Sequence, residues 1–191
     1  MAVFTSNDVA NQALLLVSGA NTPPVTGVAP NFDKSAAGLA LQKLYAPCVQ
    51  TVARQFGWDF ARSTVALALS GNAAPFPWAF EYLYPSNGVE VWQLAPPALA
   101  DPNNPLPVNF EVANAVVATG QARVIHANLA NALGVYNNAP VEAAWDSLFR
   151  EAVVRALASE LGMAIFGKPD VAEMYLESGA AFETLGEGRM G

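Results

Sequence analysis

Apolar residues recur every three or four positions in two segments near the start of the chain, which is the spacing of one helix face. The first segment is 7–18, with Thr5 or Ser6 as its N-cap and Gly19 at its end. The second and longer segment is 34–57. Their predicted apolar faces are, in turn, Val9, Ala13, Leu16 and Val17, and Leu39, Leu44, Val49, Val52 and Phe56.

Pro47 lies inside the longer of these two helices. Proline lacks an amide donor and its ring crowds the carbonyl four residues earlier, so the helix should kink or restart there. The segment is still the largest helix in the first half of the chain. We therefore expect the later helices to pack against it.

The middle of the chain alternates apolar with polar residues, which is typical of half-buried strands. Val65, Leu67 and Leu69 alternate first, and a hairpin that ends at His126 is the last predicted strand pair. Between them lies an alternating aromatic set, closed by the turn 85–88: Phe76, Trp78, Phe80, Tyr82 and Tyr84. We expect these rings to pack in a core, and His126 to be a partly exposed sheet residue.

Helical spacing returns after Pro140, which opens a third helix that we expect to reach Ile165, with Gly167 as its C-cap. A fourth helix is predicted over 171–185, and the glycine-rich stretch 186–191 follows it. The apolar stripe of the third helix includes Trp145, Leu148, Phe149, Val153, Leu157 and Leu161.

The predicted fold class is mainly α with a β insertion (α+β). It is an antiparallel bundle of about four helices, with a small antiparallel β subdomain between the second and third long helices. The helical bundle domain would comprise 1–57 and 138–185, and the β insertion 58–137. The remaining residues, 186–191, would form a flexible C-terminal tail.

Composition adds one constraint on partners. Only 13% of the 191 residues are charged, about half the usual share, and the net charge is −7. A surface so poor in charge is often covered by copies of itself or by partners, although an alanine-rich sequence explains it equally well. The acidic balance argues against gripping nucleic acid by its phosphates, but it permits DNA to pass nearby.

The residues offer little equipment for catalysis. Cys48 is the single cysteine and His126 the single histidine, so neither an internal disulfide nor a paired Cys/His zinc site can form. Cys48 is expected to be a buried, inert thiol, and no phosphate loop, GxSxG or HExxH motif is present. We therefore expect no enzyme activity, no cofactor and no metal. The alternative is a small hydrolase or transferase that uses His126.

The first residues predict the compartment. The stretch MAVFTSNDVANQALLLVSG lacks a basic region, and its apolar run 13–17 is too short to span a bilayer. We expect a soluble protein that is made in the cytoplasm and has no membrane partner.

Two segments carry a family resemblance: LYAPCVQTVARQFGWDFARSTVALAL and PFPWAFEYLYPSNGVEVWQL. They resemble the head-to-tail connector (adaptor) proteins of short-tailed phages, the group that includes tubular tail protein A. In that family a helix leads into a Trp-x-Phe-Ala element, and a Tyr-x-x-Pro turn opens the β part. The matching residues here are Trp58, Phe60, Ala61, Tyr82 and Pro85. The late segment 143–182 also resembles the closing helix pair of that family, while Asn87 stands where an Asp is common.

The resemblance implies a structural protein of the virion, made in the host cytoplasm. Its copies would form a homododecameric ring beneath the portal protein, connect it to the tail nozzle or tail tube protein, and help to close the DNA-filled capsid. Genomic DNA would pass through the channel during ejection without sequence-specific binding. A neck or head-completion protein of a long-tailed phage is the alternative.

The resemblance also assigns two sets of residues. The C-terminal segment would reach along the portal, which makes the docking residues Tyr175, Phe182, Leu185, Arg189 and Met190. The fold or subunit-contact residues would be Trp58, Phe60, Trp78, Tyr82 and Pro85.

Overall fold

The computed structural model describes residues 4–19, 22–55, 57–97, 108–138 and 141–167. The chain divides into two compact units, one helical and one built of strands. The helical unit combines Met1–Phe60 with Pro140–Gly191, and the β unit is Ala61–Ala139.

The helical unit contains three α-helices within the described residues: α1 (Ser6–Ser18), α2 (Ala36–Gln55) and α3 (Ser147–Leu161). Helix α3 packs against both α1 and α2, which confirms the expected contact between the third and second helices. Shorter elements complete the described part of this unit: β1 (Gly27–Val28), β2 (Asn31–Phe32), 3₁₀ turns at Asp59–Ala61 and Glu142–Ala144, and a π-helical turn at Gly162–Phe166.

Local capping fixes where α1 begins and ends, as the sequence predicts. The Thr5 side chain accepts from the amide of Asp8, and the Asp8 carboxylate accepts from the Thr5 amide at 2.8 Å, so two otherwise unpaired donors are satisfied. Gly19 follows with φ 61°, a region that favours glycine. The predicted apolar face was partly wrong, because Leu14 is buried whereas Leu16 is 42% exposed.

Helix α2 runs as one element through Pro47, so the predicted restart does not occur, and Pro47 lies on its exposed side. The predicted apolar face was also displaced. Leu39 is 49% exposed and Leu44 is only half-buried. The face that packs is instead Ala37, Gly38, Leu41, Tyr45, Cys48, Val49, Val52 and Ala53. Small residues on this face let α3 approach closely, and hydrophobicity alone does not reveal that.

Helix α3 positions the aromatic core of the helical unit. Asp146 caps it by accepting from the Phe149 amide at 2.7 Å. The ring of Phe149 meets those of Trp58, Phe60 and Trp145 edge-on, with centroids 5.0, 5.2 and 4.8 Å away. Gly167 ends the helical run in the left-handed conformation, which confirms it as the C-cap.

The β unit holds six strands in two antiparallel three-stranded sheets. One sheet has the order β3 (Arg62–Ala66), β8 (Leu133–Asn138), β5 (Gly88–Ala95), and the other has the order β4 (Phe80–Leu83), β7 (Gly120–Ala127), β6 (Phe110–Val117). The predicted hairpin is confirmed as β6–β7, in unbroken register from Phe110↔Ala127 to Val117↔Gly120. A core forms around Tyr82, Ile125, Leu94 and Tyr136.

Strand β8 is the element that the sequence pattern missed. It is the central strand of its sheet, hydrogen-bonded to β3 and β5, yet it contains Gly134, Asn137 and Asn138, which favour turns. Gly134 is required by packing, because an added Cβ would lie 2.8 Å from Cδ2 of Leu67. Pairing on both sides stabilises this strand despite its low propensity.

The alternation of apolar residues identified strands better than it identified buried faces. Val65 and Leu69 are 40% and 61% exposed, and Phe76 is 98% exposed. In the aromatic set, the strand itself contains Phe80 and Tyr82, whose rings stack 6.2 Å apart, while Phe76 precedes it in a turn. The prediction that all five rings pack in a core was therefore wrong for Phe76.

These elements correct the predicted fold class. Within the described residues there are three helices and eight strands in three antiparallel sheets, and not a four-helix bundle with a small β subdomain. The error came from giving weight to helical periodicity while β1, β2 and β8 carry almost no periodic signal. The predicted fourth helix, 171–185, lies outside the described residues.

Truncating Leu157 tests the core between the helices. Its side chain is fully buried, so Leu157→Ala should lower the free energy of unfolding by about 2–5 kcal/mol through loss of contacts and a residual cavity. Leu15→Ala, at a position 58% exposed on α1, should change it by less than about 0.5 kcal/mol. Urea denaturation followed by circular dichroism measures both, and equal losses would contradict the assigned core.

Asp33, just before α2, predicts an acid-dependent contribution to stability. Its carboxylate accepts from the hydroxyl and amide of Ser35 and from the amide of Thr26, and these hydrogen bonds lower its pKa from 3.8 to about 2. A lowered folded-state pKa stabilises the fold above the ordinary value, and that stability is lost as the pH falls through about 2. The melting temperature of Asp33→Asn should therefore lie below that of the wild type at pH 6, and the gap should close towards pH 2. A gap independent of pH would contradict this origin.

Candidate functional site

The β unit buries a charged pair, Glu81 and His126. They face each other in register on the neighbouring strands β4 and β7, and Nε2 of His126 lies 2.9 Å from Oε2 of Glu81. Their exposed fractions are only 5% and 6%. The expectation that His126 is a partly exposed sheet residue was wrong. The prediction that Cys48 is buried is confirmed, with 7% exposure.

Side chains from the preceding segment complete the surroundings of the Glu81 carboxylate. Asn72 donates to Oε1 at 2.9 Å, and the Ser70 side chain also hydrogen-bonds the carboxylate. Burial raises the pKa of Glu81, but the hydrogen bonds from Ser70, His126 and Asn72 outweigh it, so the net pKa is lowered. The carboxylate therefore stays ionised at neutral pH, and every group around it stabilises the charged form.

The 70–79 loop is held to this sheet by further contacts. The Ser70 amide donates to the Glu81 carbonyl at 3.0 Å, and Nδ2 of Asn72 also donates to the Val116 carbonyl at 3.0 Å on β6. At the other end of the loop, Nε1 of Trp78 donates to Oε2 of Glu111 at 3.1 Å. Glu111 lies opposite His126 on β6, so one row across three strands anchors the loop from both ends.

This arrangement contains two of the three parts of a hydrolytic triad, a histidine and the carboxylate that orients it. The third part is a nucleophile in contact with the free side of the imidazole. Ser70 instead bonds the carboxylate, and among the described residues the hydrogen-bond partner of the His126 ring is Glu81. The cluster is better equipped to hold a buried charge than to activate a nucleophile.

Cys48 has no features of a reactive thiol. It belongs to α2 in the helical unit, and burial, reinforced by the carboxylate of Glu160, raises its pKa to about 12. Within the described residues no group of three or more His, Cys, Asp or Glu side chains could hold a metal ion. No helix in the described part of the chain is long and apolar enough to cross a membrane.

The residues assigned through the family resemblance are mostly core residues. Trp58 is 8% exposed, its Nε1 donates to the Val52 carbonyl at 2.9 Å, and Phe60 lies beside it in the Phe149 cluster. Tyr82 is 1% exposed, and its hydroxyl donates to the Leu129 carbonyl at 2.6 Å.

The turn residues behave differently. Pro85 opens the predicted turn, which the Gly88 amide closes on its carbonyl at 2.9 Å. The side chain of Asn87 does not close that turn locally, but accepts from the Tyr136 hydroxyl at 2.9 Å. The residues predicted to dock on the portal lie outside the described residues: Tyr175, Phe182, Leu185, Arg189 and Met190.

Comparison with other proteins gives no family for this chain. No protein-family model matches it, and no curated protein matches it either.

Glu81, Ser70 and Asn72 were missed at the level of sequence because attention fell on the aromatic residues around them. One signal was present. A single carboxylate between Phe80 and Tyr82, in a strand of otherwise apolar residues, must point to the opposite face from the rings, and it needs a partner there if that face is covered. Which residue supplies the partner depends on strand register, which the sequence does not give.

Replacing Glu81 tests whether the buried carboxylate stabilises the β unit. Glu81→Gln keeps the size but removes the charge, and it leaves a buried amide facing donors, so the free energy of unfolding should fall by about 1–3 kcal/mol at pH 7. Because the folded-state pKa is lowered, this advantage of the wild type should persist above pH 4.5 and disappear as the pH falls through the folded pKa.

Glu111→Gln is the matched control, since that carboxylate is exposed in the same row of residues. Its effect should stay below about 0.5 kcal/mol. Denaturant unfolding at pH 7 and pH 3 measures both variants. Equal stability of Glu81→Gln and the wild type at pH 7 would contradict a stabilising role for the pair.

Proposed function

We propose that this chain is a structural head-to-tail adaptor of a short-tailed phage. Copies of it form a ring beneath the portal protein, connect the portal to the tail nozzle or tail tube protein, and help to close the DNA-filled capsid. Genomic DNA passes through the channel without sequence-specific binding, and the chain has no catalytic task.

The observation that carries this proposal is the apolar surface. Large hydrophobic side chains are exposed on both units, in an already charge-poor chain. In the β unit they are Val65, Leu69, Phe76, Trp92 and Val116, and in the helical unit they include Leu15, Leu16, Leu39, Val141 and Met163. A protein that functions by covering such residues with neighbours needs this surface, whereas a monomeric enzyme does not.

The positions of the resemblance residues support the same proposal. Trp58 and Phe60 connect the end of α2 to the aromatic cluster of α3, and Tyr82 lies in the core of the β unit. A sequence signature made of packing residues is typical of a protein whose shape is its function. The acidic net charge of −7 suits a conduit that should not retain a polyanion.

The alternative enzyme that uses His126 receives less support. Its ring is 6% exposed and hydrogen-bonded to a carboxylate that also binds Ser70 and Asn72. A general base needs access to the proton that it removes.

Electron microscopy of the purified full chain mixed with a cognate portal tests the proposal. We expect an additional ring of density under the portal. In the same experiment, deletion of 186–191 should leave a folded protein that no longer binds, because the resemblance places the C-terminal segment along the portal.

The two parts of this experiment fail separately. If the full chain adds no density to the portal, the adaptor function is wrong. If the truncated chain still saturates portal rings, the adaptor function stands and the assignment of docking to the C-terminal residues is wrong. Circular dichroism of the truncated chain serves as the folding control.

A further inference from the structure

Phe76 is the most exposed large apolar side chain among the described residues, at 98%. It lies at the tip of a turn that the Trp78 amide closes on the Pro75 carbonyl at 2.8 Å. We infer that Phe76 of one copy inserts into the groove between α2 and α3 of a second copy, which joins the copies head to tail. This inference rests on the proposed ring and names the contact that would build it.

The loop that carries Phe76 is fixed in place before any partner arrives. Asn72 bonds the buried Glu81 carboxylate and the Val116 carbonyl on one side of the turn. On the other side, Trp78 bonds Glu111, and the Ala79 amide donates to Oδ1 of Asn128 at 2.8 Å. A side chain presented by a rigid loop loses little conformational freedom on binding, so more of its burial appears as affinity.

The receiving groove has a suitable size and lining. It measures about 250 Å³, whereas an apolar cavity of about 150 Å³ is sufficient to hold benzene. Its walls are formed mainly by Leu44, Pro47, Cys48, Val52, Ala156 and Ser159. Glu160 is its one charged lining residue, and that side chain is exposed. A phenyl ring can therefore enter without burying this carboxylate.

Charge also favours this pair of surfaces. Each copy has a net charge of −7, so two copies repel each other unless the contact itself carries little charge. The loop segment 71–79, GNAAPFPWA, contains no charged residue. It can approach the rim of the groove near Glu160 without adding to the repulsion.

The area of the contact fits a ring better than an isolated dimer. A phenylalanine buries only about 150–250 Å², well below the roughly 800 Å² per partner of a stable standard interface. The knob and the groove are different surfaces, so the contact is heterologous and leads to a closed ring or an open filament. Each subunit in a ring makes the contact twice, which compensates for its weakness.

Site-specific photocrosslinking tests the contact directly. The photoreactive analogue p-benzoylphenylalanine replaces Phe76 in the full chain, and the protein is irradiated at high concentration. We expect crosslinked dimers whose joined peptides map to 44–55 or 156–160 of a second copy. The same analogue at Val116, which is 72% exposed in the same unit, should not give those peptides. Crosslinks that map elsewhere, lie within one chain, or do not form at all would overturn the inference.

Two variants measure the energetic weight of each side. Phe76→Ala removes the knob, and Thr51→Trp fills the groove from its exposed wall. Each should weaken self-association at least tenfold in sedimentation equilibrium, which corresponds to about 1.4 kcal/mol. Val116→Ala is the matched control and should leave association unchanged. Unchanged association in Phe76→Ala would overturn the inference, since this variant removes no buried contact and should fold normally.

The outcome is separable from that of the proposed function. If crosslinks map to the groove but the full chain does not bind portal, the head-to-tail contact holds and the adaptor function fails. If rings form on the portal but crosslinks map to other surfaces, the adaptor function holds and the Phe76 contact is wrong.

Discussion

The β unit depends on satisfying one buried carboxylate. An ionised carboxylate without partners would be far too costly in an interior, so the fold must place hydrogen-bond donors around Glu81. The ring of His126, the amide of Asn72 and the hydroxyl of Ser70 meet that requirement from three separate parts of the chain. The register of β4 on β7 and the path of the 70–79 loop are thereby linked to each other.

This constraint has a consequence at the surface. A loop that is held by Glu81 at one end and Glu111 at the other cannot fold its tip back onto the sheet, so Phe76 stays in solvent. An exposed phenyl ring is unfavourable in a solitary protein, but it is useful in one that meets neighbours. The polar cluster therefore acts through what it positions, and it resembles a catalytic dyad only in its residue types.

The helical unit satisfies a different requirement, the packing of large rings. Phe149 on α3 gathers Trp58, Phe60 and Trp145, while α2 offers small residues and leaves Leu39 outside. The two units thus use opposite devices, one a buried charge and the other a dry aromatic cluster. Neither device leaves a nucleophile or a metal-binding group in the described residues, and the surfaces that remain are apolar. This combination is the physical basis for proposing assembly over catalysis.

The sequence by itself determined the features that depend on neighbours along the chain. The start of α1 follows from Thr5 and Asp8, the end of the last described helix from Gly167, and the β6–β7 hairpin from its alternation around a short turn. Tertiary structure alone decided which side of α2 is buried, that residues 133–138 form a central strand, and that Glu81 meets His126. Caps and turns are made by residues only a few positions apart, so their chemistry is legible in order. The partners of a strand or of a buried charge come from distant parts of the chain, and only the folded arrangement brings them together.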